Sequence, residues 1–171
     1  MTLQAGISIY IGMGANLPHP RYGSPAETLT AALADLGTRG VGIGRVSPWY
    51  RSAPVPASDQ PWFVNAVAEI STELAADALL AVLHGVEDAF GRVRSVANAP
   101  RRIDLDLLDF RGEIAPGGPG RAILPHPRMA GRAFVLRPLA DLAPTWHHPR
   151  TGTPIAALVA ALPADQIVER L

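Results

Sequence analysis

Apolar residues fall on every second position in four short stretches of the chain, and at spacings of three and four in the stretches between them. Ile7, Ile9, Ile11 and Met13 alternate, which predicts a first strand closed by the turn "GMGAN". "SPAETLTAALADLG" predicts a helix, with Ser24 as N-cap, Pro25 in the first helical position, Glu27 completing a capping box and Gly37 as the stop. "VGIGRVSPWYRS" predicts a second, irregular strand. "FVNAVAEIST" predicts a third, with Val64, Ala66, Ala68 and Ile70 on one face and Phe63, Asn65, Val67 and Glu69 on the other. Between them, Ser52 to Phe63 carries too many prolines for either element and predicts a long loop, of a length that commonly serves function.

Asp77 opens a second predicted helix with Leu79, Leu83, Val86 and Phe90 as its apolar stripe. His84, Glu87, Gly91 and Arg94 share another face if that helix runs so far. "IDLDLLDF" predicts a fourth strand, "RAFVLRPLADLAP" a short helix, and "TPIAALVAALP" a last helix stopped by Pro163. The order β-α-β-β-α-β followed by helices is the split βαβ pattern of a ferredoxin-like α+β fold, with helices packed on a face of one four-stranded sheet.

Composition narrows the function. A chain of 171 residues, 48% hydrophobic and 18% charged, suits one globular domain spanning residues 1–171. The formal net charge is zero, which supplies no general attraction for nucleic acid or membrane. The absence of cysteine excludes disulfides, thiolate metal sites and cysteine nucleophiles. All fifteen basic residues are arginine, so a P-loop, a protein-kinase strand lysine and Schiff-base chemistry are excluded together. The N-terminus has no basic region before its short apolar run, so a cytoplasmic location is expected, with a monomer favoured.

The polar residues inside the apolar stretches are the candidates for chemistry. Asp104 and Asp106 are two apart, which on a strand puts both carboxylates on one face about 7 Å apart along the chain. That arrangement suits hard cations shared with substrate phosphates, and it equally suits an acidic pair on an open sheet face. By the same alternation, Asp109 falls on the opposite face and awaits a salt bridge or an exposed strand end. Arg92, Arg94, Arg101 and Arg102 precede the pair and Arg121, Arg128 and Arg132 follow it. They read either as a polyphosphate cradle or as surface salt bridges. His126, between two prolines, either donates to a phosphate or packs on its loop. His84 and Glu87 face a ligand or form a surface pair, and His147 and His148 read as solvated. Asn65 is either a reader of a flat heterocycle or a satisfied buried amide. "GMGANL" lacks the third glycine of a dinucleotide-binding turn.

Taken in order, "YIGMGANL", "YRSAPV…DQPWFVNAV", "VEDAFGRVR", "APRRIDLDLLDF" and "LPHPRMAGRAFVLRPLADLAP" resemble the 6-hydroxymethyl-7,8-dihydropterin pyrophosphokinase family of folate biosynthesis over nearly the whole chain. The resemblance implies transfer of the β,γ-diphosphate of ATP to the pterin hydroxymethyl group, leaving AMP. It implies that Asp104 and Asp106 hold two Mg²⁺ ions and that Arg92 and Arg101 assist transfer. By the same resemblance His84, Glu87, Arg94, Arg121, His126 and Arg132 line ATP, and Ser52, Val55, Phe63, Asn65 and Phe134 form the pterin pocket. The loops at Ser52–Gln60 and Arg92–Arg102 are then expected to close over the substrates. The chain departs from the family pattern at Asn98-Ala99-Pro100, at His84 for a common glutamine, at Phe63 for a tyrosine and at Pro127 for an aromatic. A non-catalytic ferredoxin-like module that binds nucleotide or pterin is the alternative.

Overall fold

The computed structural model describes residues 7–92 and 99–171. Strand β1 (Ile9–Ala15) is buried along its whole length, between β4 (Phe63–Ser71) and β5 (Asp104–Phe110), antiparallel to both. Beyond β4 lie β2 (Gly42–Val46) and β3 (Tyr50–Ser52), and β8 (Val168–Arg170) extends the sheet from β3. The expected second strand is thus two short ones, split at Ser47–Trp49. The four expected strands stand in the order fourth, first, third, second, within a six-stranded sheet. Strands β6 (Ala115–Gly118) and β7 (Arg121–Leu124) form a separate hairpin.

Helices cover both faces of this sheet rather than one. On the first face α1 (Pro25–Gly37) and α2 (Ala76–Ala89) pack Leu29, Leu36, Leu79, Leu83 and Val86 against Ile9, Ile11, Met13, Ala66, Ala68, Leu105 and Leu107. The capping box at Ser24 forms as expected: Ser24 Oγ accepts from Glu27 N–H and Glu27 Oε2 accepts from Ser24 N–H. On the second face α3 (Ala133–Leu142) and α4 (Ile155–Ala160) pack against Tyr10, Val67 and Leu108. Among the described residues no helix is long and apolar enough to cross a membrane.

One irregularity overturns the expected placement of Asp109. Gly12 pairs with Asp106 and Ile11 with Leu107, but Tyr10 pairs with Asp109, so Leu108 is an extra residue in a β-bulge. The bulge resets the alternation. Asp109 lies opposite Tyr10 on the second face, the same face as Asp104 and Asp106. It is buried, and accepts from Trp146 Nε1–H at 2.8 Å and Gly112 N–H at 2.9 Å, so neither a salt bridge nor exposure satisfies it. His148, expected in solvent, is buried against Trp146, whereas His147 is exposed.

Candidate active site

The second sheet face is covered by helix at one end and open at the other. Across three strands of the open end, Asp104, Gly14 and Asn65 stand in one row, and Asp106, Gly12 and Val67 in the next. The glycines leave the rows free of side chains between the carboxylates and the amide. A Cβ on Gly14 would sit 3.0 Å from Asn65 Oδ1, tighter than ordinary contact. Asn65 is buried, and its Nδ2 donates to Ser52 Oγ at 2.7 Å. The amide thus has a protein partner, and it also lines the cavity.

That cavity has a volume of about 600 Å³. Every expected site residue that is described lines it: Ser52, Val55, Phe63, Asn65, His84, Glu87, Arg92, Arg101, Asp104, Asp106, Arg121, His126, Arg132 and Phe134. Arg94 lies outside the described residues, as does Asn98. Helix α2 stops at Ala89, so the expected helical face ends before Gly91.

The way α2 stops sets Arg92. Gly91 takes φ +81°, Gly91 N–H donates to Asp88 carbonyl at 3.1 Å and Arg92 N–H to Glu87 carbonyl at 3.0 Å. This is a Schellman motif, which needs the left-handed conformation glycine adopts freely. It turns the Arg92 side chain onto β5, where Nη1 donates to Asp104 Oδ1 at 2.8 Å and also to Glu87. Arg101 Nη1 takes the other oxygen, Asp104 Oδ2, at 2.8 Å. Glu87 lines the cavity, yet its buried carboxylate is occupied by Arg92 and by Leu105 N–H at 3.0 Å. Burial raises the Glu87 pKa, against the pull of that N–H and Arg92.

Asp106 has no comparably close cation among the described residues. Burial, with the Asp104 carboxylate adding to it, pushes its pKa up to about 7. His126 Nε2 lies 4.0 Å from Asp106 Oδ1. Its Nδ1 accepts from Arg128 N–H at 3.1 Å, which leaves the proton on Nε2, and burial followed by the nearby Arg132 charge holds its pKa down to about 4. The His126 imidazole is therefore a neutral donor facing the cavity. Its backbone N–H donates to the carbonyl of the bulged Leu108 at 2.8 Å. Arg121 is carried by the β6–β7 hairpin, which Asp77 Oδ1 holds through Ala122 N–H at 2.8 Å. Arg132 stacks over Phe134 with its guanidinium carbon 5.5 Å from the ring centroid.

One residue of this wall, Gln166, and one that contacts it from behind, Asn16, escaped sequence reasoning. Gln166 accepts from Ala133 N–H and donates to Gly131 carbonyl, both at 2.8 Å, bracing the segment that holds Arg132 and Phe134. Asn16 joins Gln60 and Pro61 to Arg101. The turn around Asn16 was legible in "GMGAN"; the partners, far away in sequence, were not.

Residues 10–144 match the model of the family described as 7,8-dihydro-6-hydroxymethylpterin-pyrophosphokinase (HPPK). The chain belongs to this family. A 2-amino-4-hydroxy-6-hydroxymethyldihydropteridine pyrophosphokinase of Pseudomonas aeruginosa is 44% identical over 167 residues, covering 95% of this chain and 96% of that protein. One of Methylorubrum extorquens is 41% identical, covering 79% and 82%. The Folic acid synthesis protein fol1 of Pneumocystis carinii is 35% identical over 88% of this chain, which spans only 19% of that longer protein. A Plasmodium falciparum HPPK-DHPS crystal structure superposes with a TM-score of 0.66 over 90% of this chain and 44% of its own; at 13% identity it supports the α+β fold alone. The activity that goes with the family is transfer of a pyrophosphoryl group from ATP to hydroxymethyldihydropterin in folate biosynthesis.

Proposed function

We propose that the cavity performs this transfer with ATP on the arginine-rich side and the pterin beside Asn65. The observation that carries the reading is the shared sheet face: two carboxylates and one amide, separated by glycines, under a ring of arginines. In the forward step the hydroxymethyl oxygen releases its proton and bonds to the β-phosphorus, the bond from the β-phosphorus to the bridging oxygen breaks, and AMP leaves with that oxygen. Phosphoryl-type transfer asks a protein mainly for positioning and charge neutralisation.

Asp104 and Asp106 fit hard cations. They are oxygen donors, they stand next to side-chain-free glycine positions, and burial beside the Asp104 carboxylate holds Asp106 toward its protonated form, which a bound cation would reverse. Mg²⁺ bound there would neutralise phosphate oxygens and orient the triphosphate. Arg92 and Arg101 now pair with Asp104; on ATP binding they trade its oxygens for those of the phosphates. Arg94, Arg121 and Arg132 add further charge, and His126 donates its Nε2 proton to a phosphate oxygen. His84 and Glu87 lie on the nucleotide side, with Glu87 acting through Arg92. Phe63 and Phe134 flank the pterin ring, Asn65 and Ser52 read its polar edge, and Val55 packs on it. The loops at Ser52–Gln60 and Arg92–Arg102 close over the substrates and exclude water.

The test is a product assay with ATP, Mg²⁺ and reduced hydroxymethyl pterin. AMP is the expected nucleotide product; ADP would overturn the assignment of the transferred group.

A further inference from the structure

Asn16 carries no role in the transfer just described, yet it is 2% exposed and every polar hydrogen of its side chain is used. Its Oδ1 accepts from Arg101 N–H at 2.8 Å. Its Nδ2 donates to Gln60 Oε1 at 3.1 Å and to Pro61 carbonyl at 3.0 Å. Its own N–H and that of Leu17 donate to Arg101 carbonyl at 2.9 and 3.1 Å. One turn thus grips the Arg101 residue at both its N–H and its C=O, and by the same amide grips the end of the loop that follows Ser52.

Both ends of this connection line the cavity. Gln60 lines it on the side of Ser52, Val55 and Phe63, and Arg101 lines it where Asp104 stands. The adjoining turn, closed by the His19–Gly23 pairing, fastens the chain where Arg92 leaves α2. His19 Nδ1 accepts from Arg21 N–H at 3.0 Å, which leaves the proton on Nε2 to donate to Phe90 carbonyl at 2.9 Å, and Tyr22 stacks on Phe90 with ring centroids 4.6 Å apart. Both arginines that hold Asp104 are therefore referenced to these two adjoining turns, and Arg101 through Asn16 to the loop ending at Pro61.

We propose that Asn16 is a positioning residue that couples the two substrate sites: ordering of Arg101 by nucleotide is passed through its buried amide to the Gln60–Pro61 end of the pterin-side loop. The proposal rests on the assignment of ATP to the arginine side and pterin to the Asn65 side. An amide suits this connection because it accepts on one side and donates on the other. Aspartate in its place keeps the acceptor for Arg101 N–H but sets an oxygen against the two oxygens of Gln60 and Pro61. Coupling of this kind is reciprocal, so it can be probed from the nucleotide side alone.

The experiment is backbone hydrogen exchange of the full chain with Mg²⁺ and a non-hydrolysable ATP analogue, without pterin, joined to steady-state kinetics. In the wild type, exchange slows at residues 99–103 and also at residues 53–63, each by about threefold or more. In Asn16→Asp and Asn16→Ala, protection at 99–103 remains and protection at 53–63 is lost. The KM for pterin rises about tenfold while kcat at saturating pterin stays within about threefold. Nucleotide-induced protection at 53–63 in either Asn16 variant overturns the proposal, as does its absence from the wild type when 99–103 is protected. No protection at 99–103 in the wild type instead overturns the nucleotide assignment. If both Asn16 variants fail to fold, Gln60→Ala carries the test, since it cuts one link on the loop side and leaves the Arg101 anchor whole. It is expected to weaken protection at 53–63, and unchanged protection there overturns the coupling.

Discussion

Asp104 and Asp106 at one end of β5 and Asp109 at the other face the same side of the sheet, yet their surroundings differ in kind. Asp104 is held by two guanidinium groups, and Asp106 waits beside it in the open cavity. Asp109 is held by an indole N–H and a backbone N–H under α3 and α4, with burial raising its pKa. Neutral donors fixed to a core cannot be exchanged for anything else, so Asp109 ties Trp146 and the turn at Gly112 to the sheet. Arginine side chains can swing from a carboxylate to a phosphate. A carboxylate held by movable cations is therefore suited to ligand exchange, and one held by immobile dipoles to stability.

The largest effect that would break this contrast is at the open end. Asp104→Ala and Asp106→Ala should each lower the rate of AMP formation by about 10³-fold or more while the thermal midpoint changes little. Near-wild-type rates in either variant would remove the functional half of the comparison. Next comes the covered end. Asp109→Ala leaves the buried Trp146 indole N–H and the part-buried Gly112 N–H without an acceptor and should cost about 3 kcal/mol in urea unfolding, with activity per folded molecule preserved. A selective loss of kcat in a stably folded Asp109→Ala protein would show that the far carboxylate also serves the reaction. The smallest effect is in pH dependence. Burial, followed by the charge of Arg150, holds His148 below its ordinary pKa, so the folded protein resists its protonation. Stability from this group is complete above pH 6.5 and is lost as the pH falls from there toward the lowered folded value. His148→Gln should flatten that part of the stability profile, measured by denaturation at several pH values. An unchanged slope would assign it to other groups.

Much of this was legible in the chain. The capping residues around Ser24 act within four positions of one another, so α1 could be read without tertiary knowledge. The alternation in β1 and β4 correctly separated the two faces of the sheet. The carboxylate pair, the arginine cluster around it and Asn65 were legible from residue type and spacing, whereas Ser52, Val55 and Phe134 entered only through the family resemblance. The reading failed at Leu108. A strict period of two cannot register one extra residue, and nothing in "DLDLLDF" distinguishes a bulge from a regular strand. Nor did the irregular second strand announce that it is two, because strands of three to five residues carry too little pattern.

By itself, then, the sequence determined the elements and the chemistry available, because these depend on local spacing and on residue types that can or cannot do a given job, and its ordered motifs carried the resemblance to the family. Tertiary structure alone decided that β5 keeps all three aspartates on one face, that Gly91 aims Arg92 at Asp104, and that Asn16 joins Gln60 to Arg101. Each of those depends on register between strands or on hydrogen bonds between segments distant in the chain, which exist only once the sheet has closed.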